Sequence, residues 1–196
     1  MRSKSLLLHL LERLEKSELI DNIVVGTPDE AIRDAIPDYE CVVSDRDEDD
    51  VLGRYVDIAR EYGADVIVRI TGDCPLIDGG VVDRTIEVLE DADFACNIWP
   101  RTFPQGLDTE VMTMETLERL DRMLPQGHPD REHVCVHVYE DDEFSLNNLI
   151  DTEDNSNLRW CVDTAEDFDR VGFILERWGE LPYREIIRRS KWTTGS

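Results

Sequence analysis

Two acidic residues stand where an α/β chain presents its chemistry. Asp73 lies in the loop Gly72-Asp73-Cys74-Pro75, directly after the most apolar strand pattern, Ala64 to Thr71. Asp163 ends a second apolar run, Leu158 to Val162, just before Thr164. Ligands of parallel-stranded sheets gather beyond the carboxyl ends of the strands. Two carboxylates placed there can converge on one hard cation such as Mg²⁺, and a magnesium joining them to a polyphosphate would neutralise charge developing at phosphorus. The competing reading is structural, with Asp73 a turn acid and Asp163 helping to cap the following helix, and spacing alone favours it. Arg54, Arg69, Arg101, Arg131 and Arg159 are candidates for anion contacts, because a guanidinium fork matches phosphate and carboxylate. In so acidic a chain most arginines serve surface ion pairs instead. The segment Arg101-Thr-Phe-Pro-Gln-Gly-Leu-Asp-Thr-Glu110 offers a cation, an amide and carboxylates within ten residues. That mixture suits a hydroxyl-rich ligand, although a solvated hairpin looks similar. His133-Val-Cys135-Val-His137 would face one way only on a strand, and Pro129-Asp-Arg-Glu132 before it starts like a helix, which argues against a metal site there. No G-x-G-x-x-G, P-loop, G-x-S-x-G or H-E-x-x-H pattern occurs, so the usual dinucleotide, kinase-type and hydrolase readings lack support.

These residues need a scaffold, and the apolar periodicity supplies one. Leu6, Leu7, Leu10, Leu11 and Leu14 form one helical stripe. Asn22 to Gly26 and Cys41 to Val43 read as short strands. Between them Thr27-Pro28-Asp29-Glu30 predicts a helix start with Thr27 as cap and proline at the first position. Asp50 to Tyr62 is amphipathic and stops at Gly63. A helix over about Val81 to Leu89, a strand over Phe94 to Trp99 and a Pro-rich loop over Pro100 to Gly106 follow. Asp108 to Thr113 is extended, and Glu115 to Leu124 is a helix closed by Pro125. A helix from about Asp130 to Tyr139 and strands near Leu146 to Ile150 and Leu158 to Val162 come next. A helix opened by Thr164-Ala-Glu-Asp167 and a last one over Pro182 to Arg189 complete the chain. Strands alternating with helices predict an α/β fold with a mainly parallel sheet in one domain, and a small α+β excursion in the middle third. The chain opens on a helix with no strand before it, so the pattern lacks the first strand and the phosphate-binding turn usual in such sheets.

The 196 residues suit a single domain, and they carry 45 acidic against 21 basic residues for a formal charge of −24. That balance excludes a polybasic binder of nucleic acid or anionic membrane. Only three of the basic residues are lysines; high acid with few lysines predicts a halophilic protein of a salt-rich cytoplasm, or an acidic protein of the ordinary kind. Five dispersed cysteines without a C-x-x-C pair point to a reducing cytoplasm and to small core residues. No apolar run is long enough to span a membrane.

The pieces Val51-Leu-Gly-Arg-Tyr55, Arg69-Ile-Thr-Gly-Asp-Cys-Pro-Leu-Ile-Asp78, Asn97 to Glu110, Arg131-Glu-His-Val134 and Leu158-Arg-Trp-Cys-Val-Asp-Thr-Ala-Glu-Asp-Phe168 occur in an order that resembles one family. It is the spore-coat polysaccharide type of cytidylyltransferase, related to the acylneuraminate and 3-deoxy-manno-octulosonate cytidylyltransferases. The resemblance covers nearly the whole chain, and it implies a nucleotide-diphospho-sugar transferase fold of Rossmann-like type. It also implies transfer of CMP from CTP to an acidic or related sugar, with release of pyrophosphate. Carried over by position, Asp73 and Asp163 would be the catalytic Mg²⁺ ligands. Arg54 and Gly72 would lie with Asp73 on the nucleotide side, and Arg101, Gln105 and Asp108 would face the sugar. Arg131, Glu132 and His133 would border the site or a homodimer contact within the 97–157 subregion. The family pattern opens with a strand and a Gly/Arg/Lys-rich signature that cradles the triphosphate, whereas Ser3-Lys4-Ser5-Leu6-Leu7 aligns with the helix after it. The expectation that follows is weak or absent turnover by the 196-residue chain. The alternatives are a non-catalytic sugar- or nucleotide-binding partner protein, and a glycosyltransferase on the same fold.

Overall fold

The computed structural model describes residues 4–140 and 142–193. Helix α1 (Leu6–Leu14) starts where the Ser5 hydroxyl accepts the Leu8 N–H, and its leucine stripe buries Leu10, Leu11 and Leu14. Arg13 on the same helix is buried and donates to the carbonyls of Ile77, Gly179 and Leu181, tying the start of the chain to two distant turns. Strands β1 (Val24–Thr27) and β2 (Glu40–Val43) pair in parallel, with Val24 opposite Glu40. Helix α2 (Glu30–Ala35) crosses between them. Its cap is Asp29, which accepts the Ala31 N–H, and not the expected Thr27. Thr27 is the last residue of β1, and its hydroxyl accepts the Asp29 N–H at 3.1 Å.

Helix α3 (Val51–Tyr62) is capped by Asp50 and ends at Gly63, whose φ of +62° is open to glycine at little cost. Strand β3 (Val66–Arg69), helix α4 (Gly79–Glu87), strand β4 (Phe94–Cys96) and strand β5 (Glu110–Thr113) follow. Next come helices α5 (Met114–Met123), α6 (Asp130–His133) and α7 (Val136–Glu140), and strand β6 (Leu146–Asn148). Helices α8 (Ala165–Trp178) and α9 (Tyr183–Thr193) complete the order. The second sheet runs β3-β5-β4-β6 and is mixed. Strand β5 lies antiparallel to β3 and β4, while β6 is parallel to β4. The expected α/β class therefore holds, with one parallel sheet and one mixed one, because the chain turns back through the 97–109 loop before entering β5.

Two expected elements differ. Residues 130–139 form two short helices because Val134 adopts φ +58°, which a β-branched residue tolerates badly and a helix cannot contain. Leu158 to Val162 is not a strand of either sheet; Arg159 makes a single bridge to Gln105. Among the described residues four apolar clusters hold the layers, three of them large. Helices α3 and α5 cover one face of the second sheet through Leu52, Val56, Phe94, Met112, Leu117 and Leu120. Helices α8 and α9 pack with Phe103, Leu107 and Trp160 beneath the loops. Helix α1 joins both sheets, since Val25 and Val68 pack against one cluster.

Candidate functional site

Three loops meet beyond β3. The Thr71 and Cys74 carbonyls accept the Cys74 and Ile77 N–H groups at 3.3 and 3.0 Å, folding Gly72-Asp73-Cys74-Pro75 into a tight turn. The Asp73 carbonyl accepts the Val162 N–H at 2.9 Å, splicing this turn to the segment that precedes Asp163. That segment is fixed from its other side by Gln105, whose N–H donates to Leu158 and whose carbonyl accepts from Trp160, at 2.9 and 2.7 Å. Gly106 makes the approach possible. Its φ is +100°, and a Cβ there would stand 2.6 Å from the Cys161 nitrogen and the Trp160 carbonyl carbon. The outcome is a cluster in which donor atoms of Asp73, Cys161 and Asp163 lie within 4.8 Å of one another.

Charge surrounds this cluster in a definite order. Arg159 donates to Asp163, to Gln105 Oε1 at 3.0 Å and to Asp167 at 3.1 Å. Asp167 is buried; it accepts the Asp163 and Thr164 N–H groups at 3.2 and 3.1 Å and a bond from Arg170, completing the capping box of α8. The bonds from Arg159, with those from the backbone and Arg170, hold its carboxyl well below the usual range against the effect of burial. Thr164 is thus the helix cap, and Asp163 is free of that duty, its side chain 57% exposed and paired with Arg159. Burial pushes the Cys161 thiol upward, and the neighbouring Asp163 and Asp73 add to this against Arg159.

Arg101 and Asp108 form a two-pronged pair at 2.5 and 2.8 Å in the adjoining loop. The loop is pinned by buried Asn97, which donates to the Leu107 carbonyl at 2.7 Å and accepts the Thr109 N–H at 2.9 Å. Asp73, Asp163, Gln105, Arg101 and Asp108 therefore share one connected set of loops. Gly72 borders Asp73, and a Cβ there would meet nothing within 4 Å. Arg54 is buried and donates to the Asp47 and Glu48 carbonyls at 3.2 and 3.1 Å. Arg131 lies among α3, α5 and α6, bonded to Asp50, to Asp121 and to the Leu124 carbonyl. Glu132 and His133 are exposed on α6 beside it. Among the described residues His133, Cys135 and His137 form no metal-ligand cluster, since the chain turns at Val134. Cys161 is a core residue, as its apolar run predicts, but its place beside Asp73 and Asp163 was not foreseen, nor was the Arg159-Asp163-Asp167-Arg170 series. Only the three-residue spacing of Asp167 and Arg170, both on α8, was a readable signal.

The α/β arrangement that carries these two carboxylates at its loop ends is the nucleotidyltransferase fold of solved cytidylyltransferases. Residues 1–171 match the cytidylyltransferase family; the chain belongs to it. It is 34% identical over 166 residues to the uncharacterized protein MJ1063 of Methanocaldococcus jannaschii, covering 81% of this chain and 68% of that one. It is 25% identical over 172 residues to the spore coat polysaccharide biosynthesis protein SpsF of Bacillus subtilis, covering 83% and 70%. A cytidylyltransferase structure from Leptospira borgpetersenii superposes with a TM-score of 0.91 at 29% identity, covering 98% of this chain and 85% of that one. No helix of the described residues is long and apolar enough to cross a membrane.

Proposed function

We propose that this protein transfers CMP from CTP to an acidic or related sugar in the making of a surface polysaccharide. The observation that carries the reading is the meeting of Asp73 and Asp163, from loops 90 residues apart, within the span of one ligand sphere in a chain of this family. The donors fit a divalent cation. Two carboxylates suit a hard ion that keeps several waters and adds phosphate oxygens, and Asp163 is exposed enough to reach it. When bound, such an ion screens charge that develops on the phosphate oxygens. The sugar hydroxyl oxygen bonds to the α-phosphorus as the bond to the bridging oxygen breaks, pyrophosphate leaving and the hydroxyl proton passing to solvent. In this reading Arg101 and Asp108, held rigid by their mutual pair, present a cation and an acceptor to the sugar, and Gln105 holds Arg159. Arg54 and Gly72 shape the nucleotide side. Arg131 positions α6, and His133 borders the sugar side. Positioning and fixed charges then supply most of the rate. The 97–157 subregion, with Trp99 and Ile150 exposed, is the proposed homodimer surface, and the charge of −24 with three lysines supports a salt-rich cytoplasm.

Calorimetric titration of CTP with and without Mg²⁺, followed by pyrophosphate release with candidate acidic sugars, tests this. Binding of CTP should need Mg²⁺, and Asp73→Asn should lower kcat/KM by on the order of 10²–10³-fold. CTP binding that is indifferent to Mg²⁺ and to Asp73→Asn would overturn the reading. Tight binding with no release would favour a non-catalytic binder, and turnover of a sugar nucleotide a glycosyltransferase.

A further inference from the structure

We infer that Cys161 is a third donor of the cation site, so that the Asp73–Cys161–Asp163 cluster takes a thiophilic divalent ion of the zinc type through its sulfur. The inference rests on the cation site of the proposed function, and not on the transfer of CMP. Cys161 is 8% exposed, yet its Sγ lies within 4.8 Å of a carboxylate oxygen of both aspartates. Its backbone is held on either side, by the Trp160 N–H to Gln105 and the Val162 N–H to Asp73, and Gly106 closes against it. The sulfur is therefore presented to the two carboxylates by main-chain bonds that leave its segment little room to shift.

Cys74 supplies the contrast within the same loops. Its Sγ is buried beside the Thr71 hydroxyl at 3.3 Å and Asp73 Oδ1 at 3.7 Å, already engaged by neighbours in its own turn. Cys96 likewise donates to Asn148 in the sheet.

Donor chemistry decides which ion gains. A hard ion prefers six oxygens and draws almost nothing from sulfur, so for Mg²⁺ the Cys161 side chain is only part of the wall. A zinc-type ion binds thiolate at about 2.3 Å and carboxylate at about 2.0–2.2 Å, and three protein donors with one open position form its usual reactive arrangement. Binding exchanges the thiol proton for the metal, one S–H bond breaking, one S–metal bond forming, and the proton going to buffer. The expected consequence is that a thiophilic ion displaces the hard one from the same pair of aspartates.

The test titrates Cd²⁺ alone into the full chain under a thiol-free reductant, following the ultraviolet sulfur-to-cadmium charge-transfer absorbance. One equivalent should saturate the band in the unaltered protein. Cys161→Ser should abolish that band and weaken Cd²⁺ binding on the order of tenfold or more, at least the loss seen when a mere supporting partner is removed. Cys74→Ser should keep the band. Zn²⁺ should quench it near stoichiometry, and Mg²⁺ only in large excess. Cys161→Ala, checked by circular dichroism, replaces the serine variant should that one not fold. A band that survives both Cys161 variants, an absent band in the unaltered chain, or equal competition by Mg²⁺ and Zn²⁺ would overturn the inference. Absence of the band alongside intact Mg²⁺-dependent CTP binding would reject this inference alone, and a band without any CTP binding would reject the transferase reading alone.

Discussion

Arg131 and Arg159 each enter a cluster of aspartates, and the clusters are built to different ends. The Arg131 side chain is 3% exposed and reaches Asp50 at 2.6 Å, Asp121 at 2.9 Å and the Leu124 carbonyl at 2.6 Å. Asp50 in turn caps α3 and receives Arg46 at 2.7 Å. Burial alone would raise the Asp50 carboxyl, but Arg131 and Arg46, with the Gly53 N–H, more than offset it and leave it below its ordinary value. Each nitrogen of the Arg131 guanidinium has a protein partner, so this side chain serves to pack α3, α5 and α6 together. The Arg159 side chain is 39% exposed, and one of its partners, Asp163, is more exposed still. There the buried acid, Asp167, anchors the group from behind while Asp163 faces outward. The difference teaches that an arginine–aspartate pair signals a ligand site only where the arginine itself keeps access to solvent.

The largest expected effect breaks the closed cluster. Arg131→Ala removes one partner from a buried network and leaves Asp50 and Asp121 facing each other without their shared cation. Urea unfolding should show a loss of about 3 kcal/mol, the low end for such a removal. Cation binding at Asp73 and Asp163 should stay unchanged. A variant as stable as the parent, or one that loses cation binding instead, would erase the distinction between the clusters.

Gly106→Ala should cost somewhat less stability and damage the open cluster alone. A non-glycine residue at φ +100° carries strain of about 1–3 kcal/mol, and the added Cβ must push back the Trp160–Cys161 backbone. The unfolding free energy should fall within that range, and calorimetry should show weaker cation binding, because the segment holding Cys161 and Asp163 moves away from Asp73. Unchanged binding would mean that the three-loop splice does not set the site.

The two clusters also differ in how much of them could be read beforehand. The periodicity of Leu6 to Leu14 and of Asp50 to Tyr62 marks helices, and Gly63 marks a stop, because these depend on local spacing and backbone freedom. Asp73 and Asp163 were legible as candidates because each follows an apolar run. Their meeting was not, since it depends on a hydrogen bond from Val162 to Asp73 and on the missing Cβ of Gly106, which are facts of tertiary approach. Leu158 to Val162 has a strand's composition, but its backbone pairs with the Gln105 loop, and no sequence rule announces that partner. Arg131 carried the same signal as Arg159, a cation near acids. Only burial separates them, and burial belongs to the packed fold.

Arg159→Ala probes the open cluster by a smaller step. Asp163 Oδ2 is the oxygen that Arg159 occupies, so removing the guanidinium frees a donor and takes a positive charge from the neighbourhood. Cation affinity should rise about two- to fivefold, the scale of an exposed pair. Asp167 should move up towards its unfolded value at the same time. Because its folded value is depressed, its contribution is complete above the unfolded value near pH 4 and is lost as the pH falls through the folded one. The stability gap between parent and variant should therefore be widest at neutral pH and close below about pH 4. A gap that widens on acidification, or a cation affinity that falls, would show that Arg159 supports the site instead of competing within it.

Salt should separate the clusters by the smallest margin. Raising KCl from about 0.1 to 1 M shortens the screening length from about 10 to 3 Å, which weakens interactions that run through solvent and leaves buried ones nearly intact. The parent's melting temperature should rise as repulsion within a chain of charge −24 is screened; equal stability at both concentrations would remove the salt-rich cytoplasm from the proposal. The deficit of Arg131→Ala should be almost the same at both concentrations. The gain in cation affinity of Arg159→Ala should shrink, because the charge it removes acts partly through water. If both effects shrink alike, Arg131 is as accessible as Arg159, and solvent access is not what divides a structural arginine from one placed at a site.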